Sequence, residues 1–142
     1  MLIAVNAGKS RVLLGGYEED GQVFSASIAT EPKLTRDDYA CKLQQVLLLY
    51  GVNVRRIHGG IVSSVVPSMV GVLEGALRLL GIRDVIEVSS GVKTGLNIRS
   101  EQPRQVGSDR VAAAVAARAK GKLPCVAITL GTATTFTALD GS

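Results

Sequence analysis

Leu2-Ile3-Ala4-Val5-Asn6-Ala7-Gly8-Lys9-Ser10-Arg11-Val12-Leu13-Leu14 opens the chain and decides its fold class. Leu2–Val5 is a short apolar run, the pattern of a buried strand. Asn6–Ser10 is a turn, and Arg11–Tyr17 reads as a second strand. Gly8-Lys9-Ser10 invites a P-loop reading, which fails on two counts. GxxxxGK[ST] needs glycine where Ile3 stands, and a helix must follow, whereas Arg11-Val12-Leu13-Leu14 is strand-like. The beginning is therefore strand, turn, strand.

The pattern continues outward. Glu18-Glu19-Asp20-Gly21 is a hairpin turn leading into a third strand, Gln22–Ala29. Thr35 with Asp38 three residues on forms a capping box, so a helix is expected to about Tyr50. Its apolar face carries Ala40, Leu43, Val46, Leu47 and Tyr50, and Gly51 stops it. Ile57–Val66 contains a strand. Pro67 opens a second helix with a stripe of Val70, Leu73, Ala76, Leu77 and Leu80, ended by Gly81. Asp84–Val88 is a short strand, and Ser89–Gln105 a loop. Ser108 is expected to cap a third helix over Asp109–Lys120. Cys125–Leu130 and Thr134–Leu139 read as strands on either side of Gly131.

The order βββαβαβα is that of an α/β, ribonuclease-H-like mixed sheet with flanking helices. The last two strands resemble the start of a second such copy. The expected division is residues 1–122 for the first domain and 123–142 for the beginning of a second, incomplete one.

The bulk properties agree with an ordered protein. The chain has 142 residues, 46% of them hydrophobic and 20% charged, enough apolar surface to offset chain entropy. Sixteen glycines exceed the usual ~7% and imply many tight turns. The net charge of +4 is scattered rather than massed, and aromatic residues are 4%. That argues against nucleic acid and suits an anionic small molecule. Cys41 and Cys125 have no metal-ligand or disulfide spacing and are expected as two buried, reduced thiols. His58 is given no role. No signal-peptide pattern and no run of ~18 apolar residues occurs, so a cytoplasmic protein without a membrane span is expected.

Three segments carry chemistry. In Asn6–Ser10, backbone N–H groups and Gly8 can receive an anion, or the segment is a plain hairpin turn with Lys9 exposed. In Leu130–Thr135, backbone amides and threonine hydroxyls suit phosphate oxygens or a hydrated metal, or the segment is an ordinary Thr-rich strand pair. At the third helix start, Asp109 either complements the helix dipole or accepts a proton from a substrate alcohol, with Arg110 holding an anion.

Gly91-Val92-Lys93-Thr94-Gly95-Leu96, Pro103-Arg104-Gln105-Val106-Gly107-Ser108-Asp109-Arg110 and Gly131-Thr132-Ala133-Thr134-Thr135-Phe136 resemble the signature segments of type III pantothenate kinase. Ser63–Pro67 resembles its strand-to-helix junction and Thr35–Ala40 the start of its first helix. This family belongs to the acetate-kinase/actin/Hsp70-like class. The resemblance implies transfer of the ATP γ-phosphoryl group to the primary hydroxyl of pantothenate, the first step towards coenzyme A. It implies Mg²⁺ or a similar divalent cation, a monovalent cation (K⁺ or ammonium), and a homodimer or a heteromer with a related chain. Asp109 matches the general base, and Gly107 and Arg110 match pantothenate contacts. Gly8 and Ser10 match the first phosphate loop, with Asn6 and Lys9 as further candidate phosphate contacts at positions where the family usually carries other residues; Gly131, Thr132 and Thr134 fall in the second.

Three positions depart from the family pattern. Asn6 stands where a metal- and phosphate-linked aspartate is usual, leaving one amide oxygen as a metal ligand. Thr129 stands where the carboxylate linked to the monovalent cation is usual. Ser100 replaces a tyrosine that packs on pantothenate. Asn6, Thr129 and the early stop at Ser142 motivate the alternative of a catalytically degenerate paralogue, or a cut gene product, that binds or regulates a full-length relative.

Overall fold

The computed structural model describes residues 1–141. Along the chain lie β1 (Leu2–Ala7), β2 (Arg11–Glu18), β3 (Gly21–Ala29), α1 (Arg36–Leu49), β4 (Gly59–Ser64), α2 (Pro67–Leu79), β5 (Asp84–Glu87), α3 (Ser108–Lys120), β6 (Cys125–Leu130) and β7 (Thr134–Leu139). Single 3₁₀ turns occur at Val54–Arg56 and Pro103–Gln105. Every strand and helix expected from the sequence is present. The chain forms two compact units, Met1–Glu87 and Val88 onward.

The first unit is a five-stranded mixed sheet in the order β3-β2-β1-β4-β5. The β1–β2 and β2–β3 pairs are antiparallel hairpins, while β1–β4 and β4–β5 are parallel. Parallel neighbours need a long crossover, and α1 and α2 supply the two that this order requires. Alternation along β1 buries Ile3, Val5 and Ala7, which join Val12, Leu14 and Val62 in one core. The helices complete that core with Leu43 and Leu47 of α1 and Leu73 and Leu77 of α2, none more than 1% exposed. The opposite sheet face presents the half-exposed Leu2, Leu13, Ile61 and Ile86.

The capping box at α1 forms as expected. Thr35 Oγ1 accepts from Asp38 N at 3.2 Å, and Asp38 Oδ2 accepts from Thr35 N at 2.9 Å and from Thr35 Oγ1 at 2.7 Å. These bonds, the hydroxyl's foremost, hold the Asp38 carboxyl below its ordinary value. Tyr50 departs from the expected face. It is the C-cap, half-exposed, with its ring 5.3 Å from that of Phe24. Phe24 in turn lies over Gly16, where any β-carbon would come within 2.3 Å of the ring.

In α2 the buried stripe is Met69, Leu73, Ala76 and Leu77, with Val70 and Leu80 as half-buried flanks. Met69 belongs to that face because i, i+4, i+7 and i+8 share one side of a helix. Cys41 is exposed rather than buried; Cys125 is half-buried.

The second unit packs α3 against the β6–β7 hairpin through Val111 and Ala114. Alternation turns Cys125, Ala127, Thr135 and Thr137 towards partial burial. It leaves Val126, Ile128, Leu130 and Phe136 on the other face, 58–80% exposed. The cap of α3 is corrected by one residue: Gly107 is the N-cap and Ser108 the first helical residue. Among the described residues no helix is long and apolar enough to cross a membrane.

Candidate functional site

The β1–β2 turn belongs to the first unit. Asn6 lies within β1 rather than in the turn, exposed and paired with Leu13 and Ser63. The Gly8 N–H donates to the Arg11 carbonyl at 2.9 Å, so that amide is committed to closing the turn. Thr30 buttresses it: its hydroxyl donates to Gly8 O at 2.8 Å and its N–H to Ser10 O at 3.0 Å. A β-carbon on Gly8 would lie 3.3 Å from Arg11 O, a close backbone approach that accounts for glycine here. Lys9 and Ser10 are exposed.

The remaining predicted residues lie in the second unit. Gly107 O accepts from the N–H groups of Arg110 and Val111 at 3.1 and 3.2 Å, starting α3. Asp109 sits in the first turn, where a carboxylate complements the helix N-terminus. Arg110 reaches β7, with Nε 3.5 Å from Thr137 Oγ1 and Nη2 3.4 Å from Phe136 O. Gly131 and Thr132 are exposed in the β6–β7 turn, and Thr134 opens β7. Thr129 pairs with Thr135 across the hairpin.

A cavity of about 590 Å³ opens within this unit. Leu96, Ile98 and Leu123 give it apolar walls, and Arg99, Arg110 and Arg118, against the one carboxylate of Asp140, give it a positive balance. Arg99 is 3.8 Å from Asp140, a contact with both partners more than 60% exposed and thus worth little. A concave, mostly apolar site with a few charged groups is the usual form of a small-molecule pocket. Of the predicted site residues, Arg110 alone lines it; Gly107, Asp109, Gly131, Thr132 and Thr134 lie outside its walls. Sequence reading passed over Arg118, although Arg110, Ala114 and Arg118 recur every four residues and so share a helix face.

Charge is divided unevenly. Residues 1–87 hold nine basic and nine acidic side chains. Residues 88–142 hold seven basic against Glu101, Asp109 and Asp140, so the whole excess of +4 belongs to the unit with the cavity. Its chemistry therefore favours an anionic ligand with an apolar portion.

Metal chemistry finds less support. Among the described residues no three His, Cys, Asp or Glu side chains gather as a metal site. Asn6 offers one neutral oxygen, while Mg²⁺ is ordinarily held through one or two carboxylates with phosphates and water. These residues do not fit a protein-held divalent ion.

Residues 2–142 match the sequence family described as type III pantothenate kinase. The chain is 39% identical over 136 residues to a type III pantothenate kinase of Syntrophotalea carbinolica, covering 96% of this chain and 53% of that one. It is 36% identical over 137 residues to those of Geobacter sulfurreducens and Geotalea daltonii, with the same coverage. The chain thus spans about half the length of the curated relatives it matches.

Proposed function

Because the chain belongs to the type III pantothenate kinase family, we propose that it carries the acceptor side of ATP-dependent pantothenate phosphorylation. The observation that carries this reading is the arginine-lined, partly apolar cavity in the one unit with excess positive charge. Pantothenate carries a carboxylate at one end and a primary hydroxyl at the other, with an amide, a secondary hydroxyl and an apolar gem-dimethyl group between them. Arg110 holds its carboxylate. Asp109 takes the hydroxyl proton as the oxygen attacks the ATP γ-phosphorus, releasing ADP and phosphorylated pantothenate. Gly107 leaves room for the Asp109 carboxylate. The Gly8, Lys9 and Ser10 turn and the Gly131, Thr132 and Thr134 turn receive phosphates.

The same reading covers the architecture. The sheet order β3-β2-β1-β4-β5 supports a ribonuclease-H-like first domain, and the βββαβαβα succession supports placing its end at residue 122, with a second copy beginning at 123. A homodimer, or a heteromer with a related chain, is the proposed assembly, and the cytoplasm the proposed location. Divalent and monovalent cations belong to the reaction by kinship; Asn6 and Thr129 give them no carboxylate here.

A second reading is that the chain is a catalytically degenerate relative that binds or regulates a longer one. Asn6, Thr129 and the self-bonded Gly8 amide favour it. Titration calorimetry of ATP and of pantothenate, with an ADP-release assay, separates the two. The kinase reading expects pantothenate binding, turnover, and a loss of about 10²–10⁴-fold in Asp109→Ala with binding kept. Binding of neither ligand would sink it.

A further inference from the structure

Arg118 lies in the last turn of α3 and contacts a part of the chain far away in sequence. Its Nη1 donates to the carbonyl of Gly95, in the loop between β5 and α3. Gly95 has φ +75°, and a β-carbon there would lie 3.3 Å from the same Nη1. The turn therefore meets the guanidinium with its bare backbone, and its positive φ calls for glycine. Thr94 Oγ1 accepts from Leu96 N at 3.4 Å, closing the turn on itself. Other bonds of this loop, Val92 N to Ser89 O and Gln102 N to Ser100 Oγ, are local. The long-range Arg99–Asp140 contact is solvent-exposed.

We propose that Arg118 is a positioning residue. It ties the Thr94–Asn97 turn to the end of α3, and so keeps Leu96 and Ile98 in place as an apolar wall of the cavity. A cation near a helix C-terminus also complements the macrodipole, but any cation does that. The hold on Gly95 comes from Nη1 at the far end of the guanidinium, and a lysine, whose ammonium sits one atom nearer the backbone, reproduces that reach only in part. The effect on ligand rests on reading the cavity as the pantothenate site; the effect on the turn does not.

The test compares the full chain with Arg118→Lys and Arg118→Met by amide hydrogen exchange and by pantothenate calorimetry, with melting temperature as control. Arg118→Met is expected to speed exchange at Leu96, whose N–H is bonded to Thr94 Oγ1, about tenfold or more, the scale of losing a charged hydrogen bond. Pantothenate Kd should rise about tenfold with little change in melting temperature, and Arg118→Lys should recover part of both losses. Unchanged exchange in Arg118→Met, or complete recovery by lysine, overturns the proposal in favour of a dipole role. If the wild-type chain takes up no pantothenate, the substrate reading fails, and the exchange measurement alone decides whether Arg118 holds the turn.

Discussion

Asp109 occupies space that Gly107 leaves vacant: a β-carbon on Gly107 would fall 2.6 Å from Asp109 Oδ1. The backbone at Gly107, φ −60° and ψ 146°, is open to any residue, so the demand for glycine is spatial. The clash involves the end of a flexible side chain, which can swing away. Gly107→Ala should therefore melt within about 0.5 kcal/mol of wild type, as ordinary surface changes do. Its ADP release with pantothenate and ATP should fall towards that of Asp109→Ala. Full activity in Gly107→Ala would show that the carboxylate's direction is immaterial.

Tyr39 is fully buried, and its hydroxyl serves both backbone groups of Glu31. It accepts from Glu31 N at 2.9 Å and donates to Glu31 O at 3.2 Å. Tyr39→Phe keeps the ring and removes both bonds. A loss of about 1–3 kcal/mol in urea unfolding is expected, from leaving a part-buried N–H unpaired.

Asp38 ties the capping box to pH. Its folded carboxyl titrates below its ordinary value because the Thr35 hydroxyl and N–H bond the ionised form. On acidification the unfolded chain takes up that proton first. The contribution is complete above about pH 3.9, the unfolded value, and is lost as pH falls through the lower folded value. Wild type should thus out-stabilise Asp38→Asn by a constant margin from pH 7 to about pH 5, and the margin should shrink below that. Chemical unfolding at a series of pH values would show it; a margin that grows in acid is incompatible with this cap.

Leu73 is 0% exposed at the centre of the α2 stripe. Leu73→Ala removes buried methyl groups and leaves a cavity, at a cost of about 2–5 kcal/mol in denaturant unfolding.

Local chemistry explains which features were legible in the sequence. Thr35 with Asp38, Pro67 and Gly51 are capping signals whose partners lie within four residues, so α1 and α2 could be bounded without knowing the fold. Ser108 misled because its hydroxyl is the usual N-cap group, whereas Gly107 takes that place. Spacing puts Tyr50 on the core face, yet it is the C-cap just beyond Leu49 and its ring meets Phe24 of β3. Cys41 is apolar by type and still faces outward, since the α1 core face runs through Tyr39, Ala40 and Leu43. The motif residues of α3 were legible, but the cavity was not. It depends on Arg118 reaching Gly95 across the loop, a contact that no spacing encodes.

The uneven division of charge has a practical consequence. A first unit balanced at nine against nine has no net pull on polyions, so what a +4 protein attracts non-specifically it attracts through residues 88–142. Retention on a cation-exchange column should follow that unit alone. Added salt would loosen an adventitious polyanion and a genuine anionic ligand from the same residues. Affinities compared between buffers therefore carry meaning only at matched ionic strength.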